Sequence, residues 1–180
     1  MSAPESPEAR TLVVLRHAKS AWPEGVADAR RPLGPRGLRD APAAGRWLRE
    51  QGLVPDAVVC SPALRTRQTL GLAAEQWDGA PPTVFDERIY AAEAEELLDV
   101  IRGLDPALGT VLLVGHMPGV QELVLLMTAG AGDDSSSGDD MERLQAKYPT
   151  SGIAVLGLGG PWRRTAEGTA RLLAFTVPRG

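Results

Sequence analysis

Two short apolar runs that each end at a histidine constrain this chain more than any other feature. Leu12 to Leu15 stops at Arg16-His17, and Val111 to Val114 stops at Gly115-His116. Runs of this length and composition predict strands buried on both faces, as in a parallel sheet covered by helices. Ligands of such sheets bind at the carboxyl ends of the strands. The chain has 2 histidines, and both are therefore predicted to face a pocket.

Helical and strand patterns alternate up to residue 129. Further strands are predicted at 56–60 and 83–85, and helices at about 34–51, 63–76, 92–103 and 118–129. Two final strands, 153–158 and 172–177, follow one another and suit an antiparallel edge. The pattern predicts a three-layer α/β/α sandwich with a mostly parallel central sheet and an antiparallel C-terminal edge.

The predicted domain spans residues 11–180, because 180 residues suit one domain with a core. Residues 1–10 are polar and predict a flexible tail. Residues 130–140, GAGDDSSSGDD, are too polar to pack and predict a mobile loop. In the helix over 34–51, the pattern predicts Leu38, Trp47 and Leu48 to face inward. Pro42 should kink that helix or mark its true start.

Composition argues against several kinds of partner. A net charge of −4 and an aromatic content of 4% do not suit nucleic-acid binding, which uses basic grooves with stacked aromatic side chains. One cysteine, Cys60, with 2 histidines is too few for a zinc cage, so no metal or other cofactor is predicted. No stretch reaches the roughly 20 apolar residues that a membrane span needs. The N-terminus has no apolar signal segment, so the expected location is the cytoplasm.

Four side chains follow predicted strands in separate connections: Arg16, His17, Arg65 and His116. If the three strands are neighbours, these side chains converge. Two guanidinium groups offer forked donors that match phosphate oxygens, and helix N-termini add partial positive charge. A cationic surround also disfavours an imidazolium, so a histidine there should be neutral at pH 7 and able to attack a phosphoryl group.

Three other features are interpreted as structural. Arg67 lies two residues beyond Arg65 and should face elsewhere on the helix. The phosphate loop of cysteine phosphatases requires arginine six residues after the cysteine, whereas position 66 is Thr, so Cys60 is predicted to be a buried strand residue. The segment 157–160 precedes a strand and not a helix, which favours a turn over a nucleotide loop.

These residues resemble the histidine phosphatase superfamily, also called phosphoglycerate-mutase-like. Arg16-His17-Ala18 fits the family signature after the first strand, residues 61–69 (SPALRTRQT) look like its second motif, and Gly115-His116 looks like its late histidine motif. The resemblance spans about residues 11–177. RHAKS at 16–20, RPLGPRG at 31–37 and PTSGIAVL at 149–156 look most like the small SixA-type phosphohistidine phosphatases.

The resemblance implies a phosphatase that works in two steps. His17 attacks phosphorus, a phosphohistidine forms and water hydrolyses it, while Arg16, Arg65 and His116 hold the phosphoryl oxygens. Ser20, at the end of RHAKS, is included among the predicted substrate-binding residues. Mutase-like relatives keep a glutamate as proton donor in a Glu-Arg-x-Tyr stretch. Residues 87–90 match that stretch, which makes Glu87 a candidate general acid.

The substrate stays open at this point. Phosphohistidine on a protein is favoured because the chain lacks the insertions with which larger members close over sugar phosphates, and this would give it a role in signalling. An alternative is a small phosphate ester, whose alkoxide leaving group needs the proton of Glu87. A third is a catalytically silent module that binds phosphate. The predicted partner is a phosphorylated protein or a small phosphorylated molecule, with no nucleic acid and no membrane.

Overall fold

The computed structural model describes residues 9–131 and 138–180, and its central element is a six-stranded sheet. Along the chain the strands are β1 (Arg10–Arg16), β2 (Ala57–Cys60), β3 (Thr83–Phe85), β4 (Thr110–Gly115), β5 (Ile153–Leu158) and β6 (Ala170–Thr176). Their order in the sheet is β3-β2-β4-β1-β5-β6. The first four strands are parallel, whereas β5 is antiparallel to β1 and β6 to β5. The predicted mostly parallel sheet with an antiparallel C-terminal edge is confirmed.

Helices cover both faces of this sheet. In the described residues they are α1 (Pro35–Glu50), α2 (Leu64–Ala74), α3 (Ala94–Arg102), α4 (Gly119–Met127) and α5 (Gly138–Ala146), with 3-10 turns at Asp28–Arg30, Glu87–Ile89 and Trp162–Arg164. Side chains of β1 point to alternate faces. Leu12 and Val14 therefore pack in one hydrophobic cluster with α3 and α4, and Val13 and Leu15 in another with α1 and α2. These clusters make the fold the predicted three-layer sandwich.

The first helix begins where it was predicted, but one of its side chains faces the other way. Pro42 lies inside α1, which begins at Pro35, so Pro42 does not mark the start. Leu38 is 50% exposed, and the prediction that it faces inward is wrong. The buried face of α1 is built from small residues instead, among them Ala44 and Gly45. A Cβ on Gly45 would lie 2.2 Å from the Ala73 carbonyl oxygen, so α1 approaches α2 too closely for large side chains there.

Two boundary predictions also change. The loop predicted over 130–140 ends earlier, because residues 138–140 form the first turn of α5. Asp139 and Asp140 in that turn suit the positive end of the helix dipole, which their polar character alone did not indicate. The predicted tail is one residue shorter, since Arg10 begins β1. Residues 1–8 and 132–137, on which the rest of those two predictions fall, lie outside the described residues.

No helix in the described ranges combines the length and the apolar character that crossing a bilayer requires.

Candidate active site

The carboxyl ends of three parallel strands bring the two histidines together. β1 pairs directly with β4, with Arg16 opposite Gly115, and β2 pairs with the other edge of β4. The residues that follow these strands therefore emerge at one edge of the sheet. The ring centroids of His17 and His116 are 5.3 Å apart, as the convergence of the strand ends predicted.

A cavity of about 160 Å³ opens at this edge. We call it the cationic cavity, because four of its side chains carry positive charge and no Asp or Glu lines it. Its lining residues are Arg16, His17, Lys19, Ser20, Trp22, Arg31, Arg65, His116, Met117 and Thr150. Five of the six predicted site residues are among them. We call Arg16, His17, Arg65 and His116 the floor of the cavity, and residues 20–31 its rim.

His17 is held by its backbone and by one ring nitrogen. Its N–H donates to the Gly115 carbonyl at 3.1 Å, and its carbonyl accepts from the Ser151 N–H at 3.1 Å. The ring Nδ1 lies 2.7 Å from the Ala18 carbonyl oxygen. Because a carbonyl only accepts, Nδ1 carries the proton and Nε2 keeps its lone pair.

Burial keeps the His17 imidazole neutral. The side chain is 7% exposed, and this desolvation lowers its pKa to about 3, with smaller contributions from His116, Arg65 and Arg16. The predicted neutral form is confirmed, but its main cause is burial and not the cationic surround. At pH 7 the ring is therefore neutral, with a proton on Nδ1 and a lone pair on Nε2.

His116 is the second buried imidazole, 8% exposed. Its Nε2 lies 2.7 Å from the Oγ of Ser61, the residue that follows β2. Its Nδ1 is buried and has no hydrogen-bond partner in the structure. Burial and then the charge of Arg65 lower the pKa of His116 to about 4. If the Ser61 hydroxyl donates to Nε2, the imidazole proton lies on Nδ1. That N–H then needs a hydrogen-bond acceptor, which a ligand would supply.

Two arginines supply the positive charge of the floor. Arg16 ends β1, and its Nη1 donates to the Tyr148 carbonyl at 2.9 Å. Arg65 lies in the first turn of α2, where its two terminal nitrogens donate to the carbonyl and the carboxylate of Asp28 at 2.7 and 3.1 Å. The Nε of each arginine is buried without a partner. These unsatisfied donors favour an anion in the cavity.

The segment that follows His17 in the chain is held against two helices. The Ala18 N–H donates to Thr69 Oγ1 at 3.0 Å, which ties it to α2. The Gly34 N–H donates to the Lys19 carbonyl at 2.9 Å. A Cβ on Gly37 would lie 2.1 Å from that same carbonyl oxygen, so only glycine allows α1 to begin so close to the connection. The RPLGPRG stretch thus packs the start of α1 against the residues after β1.

The rim is organised by a carboxylate that the sequence analysis missed. Asp28 accepts hydrogen bonds from Arg31 at 2.9 Å, from Arg65 at 3.1 Å and from the Tyr90 hydroxyl at 2.5 Å. These donors, Tyr90 first, hold the pKa of Asp28 well below its usual range. A single Asp in a polar loop carries no pattern that predicts such a role. Asp28 is therefore an ionised group that orients Arg65.

Ser20 and Trp22 complete the rim. Ser20 was predicted to bind substrate. It lines the cavity, and its Oγ accepts from Arg31 Nη2 at 2.5 Å. The Arg31 guanidinium lies 3.2 Å from the Trp22 ring centroid, as in a cation–π pair. Trp22 is 75% exposed, so its other face is open to solvent. Arg31 was not among the predicted site residues, although it begins the RPLGPRG stretch that carries part of the family resemblance.

Glu87 does not line the cationic cavity. It is exposed, in the 3-10 turn Glu87–Ile89. Tyr90, from the same Glu-Arg-x-Tyr stretch, does approach the floor, with its ring centroid 5.6 Å from that of His116. The stretch thus lies beside the site, but its tyrosine and not its glutamate contacts the floor.

Cys60 and Arg67 behave as predicted, and the segment 157–160 does so only in part. Cys60 is fully buried in β2, and burial raises the pKa of its thiol to about 12. The Arg67 guanidinium lies 4.7 Å from the Phe85 ring centroid, outside the cavity. Residues 157–158 end β5, and 159–160 form a bend before the next 3-10 turn. Across the described ranges, no three or more His, Cys, Asp or Glu side chains are grouped as metal ligands would be.

Comparison with known proteins gives one consistent similarity. Residues 12–91 match the model of the histidine phosphatase superfamily (branch 1). An uncharacterised protein of Mycobacterium tuberculosis is 42% identical over 168 residues, which cover 92% of this chain and 100% of that protein. A candidate phosphohistidine phosphatase, SixA, from Nakamurella multipartitia superposes with a TM-score of 0.82 at 34% identity, over 94% of this chain and 96% of that one. Another candidate phosphohistidine phosphatase, SixA from Agrobacterium tumefaciens, superposes with a TM-score of 0.76 at 28% identity, over 94% of this chain and 98% of that one.

Proposed function

This chain belongs to the histidine phosphatase superfamily and is a phosphatase, and on that premise we propose that it forms a covalent phosphohistidine on His17 without a metal ion. Its favoured substrate is phosphohistidine on a protein. The observation that carries the proposal is the neutral imidazole of His17, whose tautomer is fixed by the Ala18 carbonyl, on the floor of a cavity lined by cations.

In the first step a phosphoryl dianion enters the cationic cavity. Its equatorial oxygens accept hydrogen bonds from the guanidinium groups of Arg16 and Arg65 and from His116, whose unpartnered nitrogens are suited to this. His17 Nε2 then attacks phosphorus in line. The P–N bond to His17 forms while the bond from phosphorus to the leaving group breaks and its electron pair departs with that group.

The Ala18 carbonyl has a second role in this step. When Nε2 becomes phosphorylated, the imidazole gains positive charge, and the hydrogen bond from Nδ1–H to the Ala18 oxygen becomes charge-assisted. In the second step water attacks phosphorus, the P–N bond breaks, and its electron pair returns to Nε2. Inorganic phosphate leaves, the proton of the water goes to solvent or to phosphate, and the neutral imidazole is restored.

The position of Glu87 supports a phosphoramidate substrate over an ester. A protonated imidazole leaves readily because its pKa is near 6.5, whereas an alkoxide needs a proton donor at the reacting atoms. Glu87 is exposed and outside the cavity. Without that donor at the site, the leaving group that fits is the imidazole of phosphohistidine.

Trapping the intermediate tests the covalent step. The protein is mixed with phosphohistidine-containing phosphotransfer protein labelled with ³²P and quenched in alkali, which preserves phosphohistidine. We expect label on His17 in the native chain and none in His17→Asn, with Arg67→Lys as a control that keeps the label. A native chain that binds phosphate but never acquires label would mean a silent binding module.

A substrate panel tests the leaving group. We expect turnover of the phosphohistidine protein to exceed that of sugar phosphates by about 100-fold or more, since a general acid contributes about 10²- to 10⁴-fold when the leaving group needs it. Glu87→Gln should leave phosphohistidine turnover within about twofold of native, as expected for a group that takes no part in proton transfer. Efficient ester hydrolysis that depends on Glu87 would instead assign the second candidate function.

A further inference from the structure

A second cavity adjoins the first. It has a volume of about 600 Å³, within the range of about 300–1,000 Å³ typical of ligand pockets. His116 and Met117 line both cavities, so the two cavities meet at these residues. The second cavity lies between residues 91–95, before and at the start of α3, and the beginning of α4.

The charge of this second cavity is opposite to that of the first. Glu93, Glu95 and Glu122 line it, and no Lys or Arg does, so we call it the acidic groove. All three glutamates are exposed, and no ion pair found among the described residues involves them. Glu93 is also the N-cap of α3, and its N–H donates to the Glu96 carboxylate at 2.9 Å. The negative charge of the groove is thus left without a counter-charge from these residues.

Backbone packing holds the walls of the groove in place. A Cβ on Gly119 would lie 2.3 Å from the Ala92 carbonyl oxygen, so the start of α4 sits directly against the segment before α3. The alanines at 91, 92 and 94 leave the space between the carboxylates open. The three carboxylates are therefore carried on two elements whose separation is fixed.

His116 provides a sign of a ligand at the junction of the two cavities. It is 8% exposed, its Nδ1 is buried without a hydrogen-bond partner, and it lines the acidic groove as well as the cationic cavity. Buried polar nitrogens in folded proteins almost always have partners. A substrate that spans the two cavities supplies the missing partner with its phosphoryl group and leaves its remainder over the glutamates.

We propose that the acidic groove is a specificity subsite that binds a cationic group of the substrate next to the phosphoryl group. This inference rests on the proposed function and sharpens it: the substrate is a protein segment in which lysine or arginine lies close to phosphohistidine. The two cavities match a substrate with negative charge at phosphorus and positive charge beside it. Phosphorylated molecules that carry a further anion near phosphorus are repelled by the groove.

Phosphohistidine peptides that differ only in flanking charge test the subsite. Three peptides carry lysine, serine or glutamate at the positions beside phosphohistidine, and kcat/KM is measured at low and at high salt. We expect the lysine peptide to exceed the serine peptide by about 3- to 10-fold, as one or two exposed charge pairs allow. The glutamate peptide should be slowest, and the differences should shrink in 1 M salt.

The matched variants remove the groove charge without touching the floor or the α3 cap. In Glu95→Gln/Glu122→Gln, kcat/KM for the lysine peptide should be within about twofold of that for the serine peptide. The value of kcat/KM for the serine peptide itself should stay near that of the native chain. Glu50→Gln/Glu75→Gln makes the same change in charge near the far ends of α1 and α2, and should keep the full preference. Glu95→Lys/Glu122→Lys should reverse it.

The outcomes separate this inference from the proposed function. If the serine peptide is turned over and labels His17, but flanking charge has no effect in the native chain, the subsite is disproved and the function stands. A loss of preference in both charge-matched double variants would mean that net charge, and not the groove, selects the substrate. If no peptide labels His17, the proposed function itself fails.

Discussion

The floor and the rim of the cationic cavity are held in different ways. Arg16, His17 and His116 follow or end strands that are buried on both faces, and the side chains of His17, Arg65 and His116 are almost entirely covered. The rim is in part exposed, with Trp22 at 75% and the Asp28 side chain at 50%, although Ser20 and Arg31 are buried. Backbone hydrogen bonds of the sheet place Arg16, His17 and His116, and α2 places Arg65. The rim depends more on contacts among side chains.

This difference indicates a division of labour. The core fixes the floor groups before any ligand binds. They therefore suit contacts that must stay correctly positioned relative to phosphorus throughout the reaction. Rim groups depend on a small network around Asp28, in which two arginines and Tyr90 donate to one carboxylate. Changes in the floor should therefore cost far more activity than changes in the rim.

The largest expected effect is that of Arg65→Lys. Lysine keeps the charge but loses the planar guanidinium that the proposed function assigns to the phosphoryl oxygens, and removal of one such donor costs about 10²- to 10³-fold. We expect kcat/KM for the phosphohistidine protein to fall by that factor, as measured by steady-state phosphate release. Arg67→Lys, two residues away and in contact with Phe85, should change it less than about twofold. If Arg65→Lys lowers kcat/KM by less than about fivefold, Arg65 does not contact the phosphoryl group during the reaction.

The same difference explains which parts of the site the sequence predicted. The floor followed from apolar runs that stop at polar residues, since parallel strands deliver their ends to one edge. Asp28 and Tyr90 were missed because their importance depends on three-dimensional contacts between residues 62 positions apart. Leu38 was misjudged because the buried face of α1 uses small residues, and hydrophobicity alone does not reveal such close packing. The start of α5 was missed because its first turn is acidic and polar.

The next largest effect is expected in the pH dependence of the free energy of unfolding, because the two floor histidines are buried. The pKa values of His17 and His116 are lowered to about 3 and about 4 in the folded chain, against about 6.5 when unfolded. As pH falls below 6.5, the unfolded chain therefore takes up protons that the folded chain does not. The free energy of unfolding should decrease between pH 7 and 5 by about 1 to 2 kcal/mol per histidine.

Urea unfolding at pH 7, 6 and 5 measures this effect, in a window above the titration of most carboxylates. The double variant His17→Asn/His116→Asn should lose most of the pH dependence, even where its stability at pH 7 differs from native. An unchanged slope in the variant would show that the two imidazoles are accessible to protons in the folded state, and the contrast between floor and rim would disappear.

The smallest effect is expected in the rim, for Asp28→Asn. The ionised carboxylate orients Arg65 but also offsets part of its charge, so it weakens the hold of the cavity on an anion. Asparagine keeps an acceptor oxygen and removes the charge. Inorganic phosphate should therefore inhibit the variant with an inhibition constant about 2- to 5-fold lower than native, as a half-exposed charge pair allows.

The control for this variant is Asp99→Asn, which removes a carboxylate paired with Arg102 on α3 and should leave phosphate inhibition unchanged. If Asp28→Asn instead weakens phosphate binding, orientation of Arg65 outweighs the charge of the carboxylate, and the rim shares the positioning role assigned to the floor. Tighter phosphate binding together with slower turnover would indicate that Asp28 aids product release. In that case the rim acts after the chemical step and the floor during it.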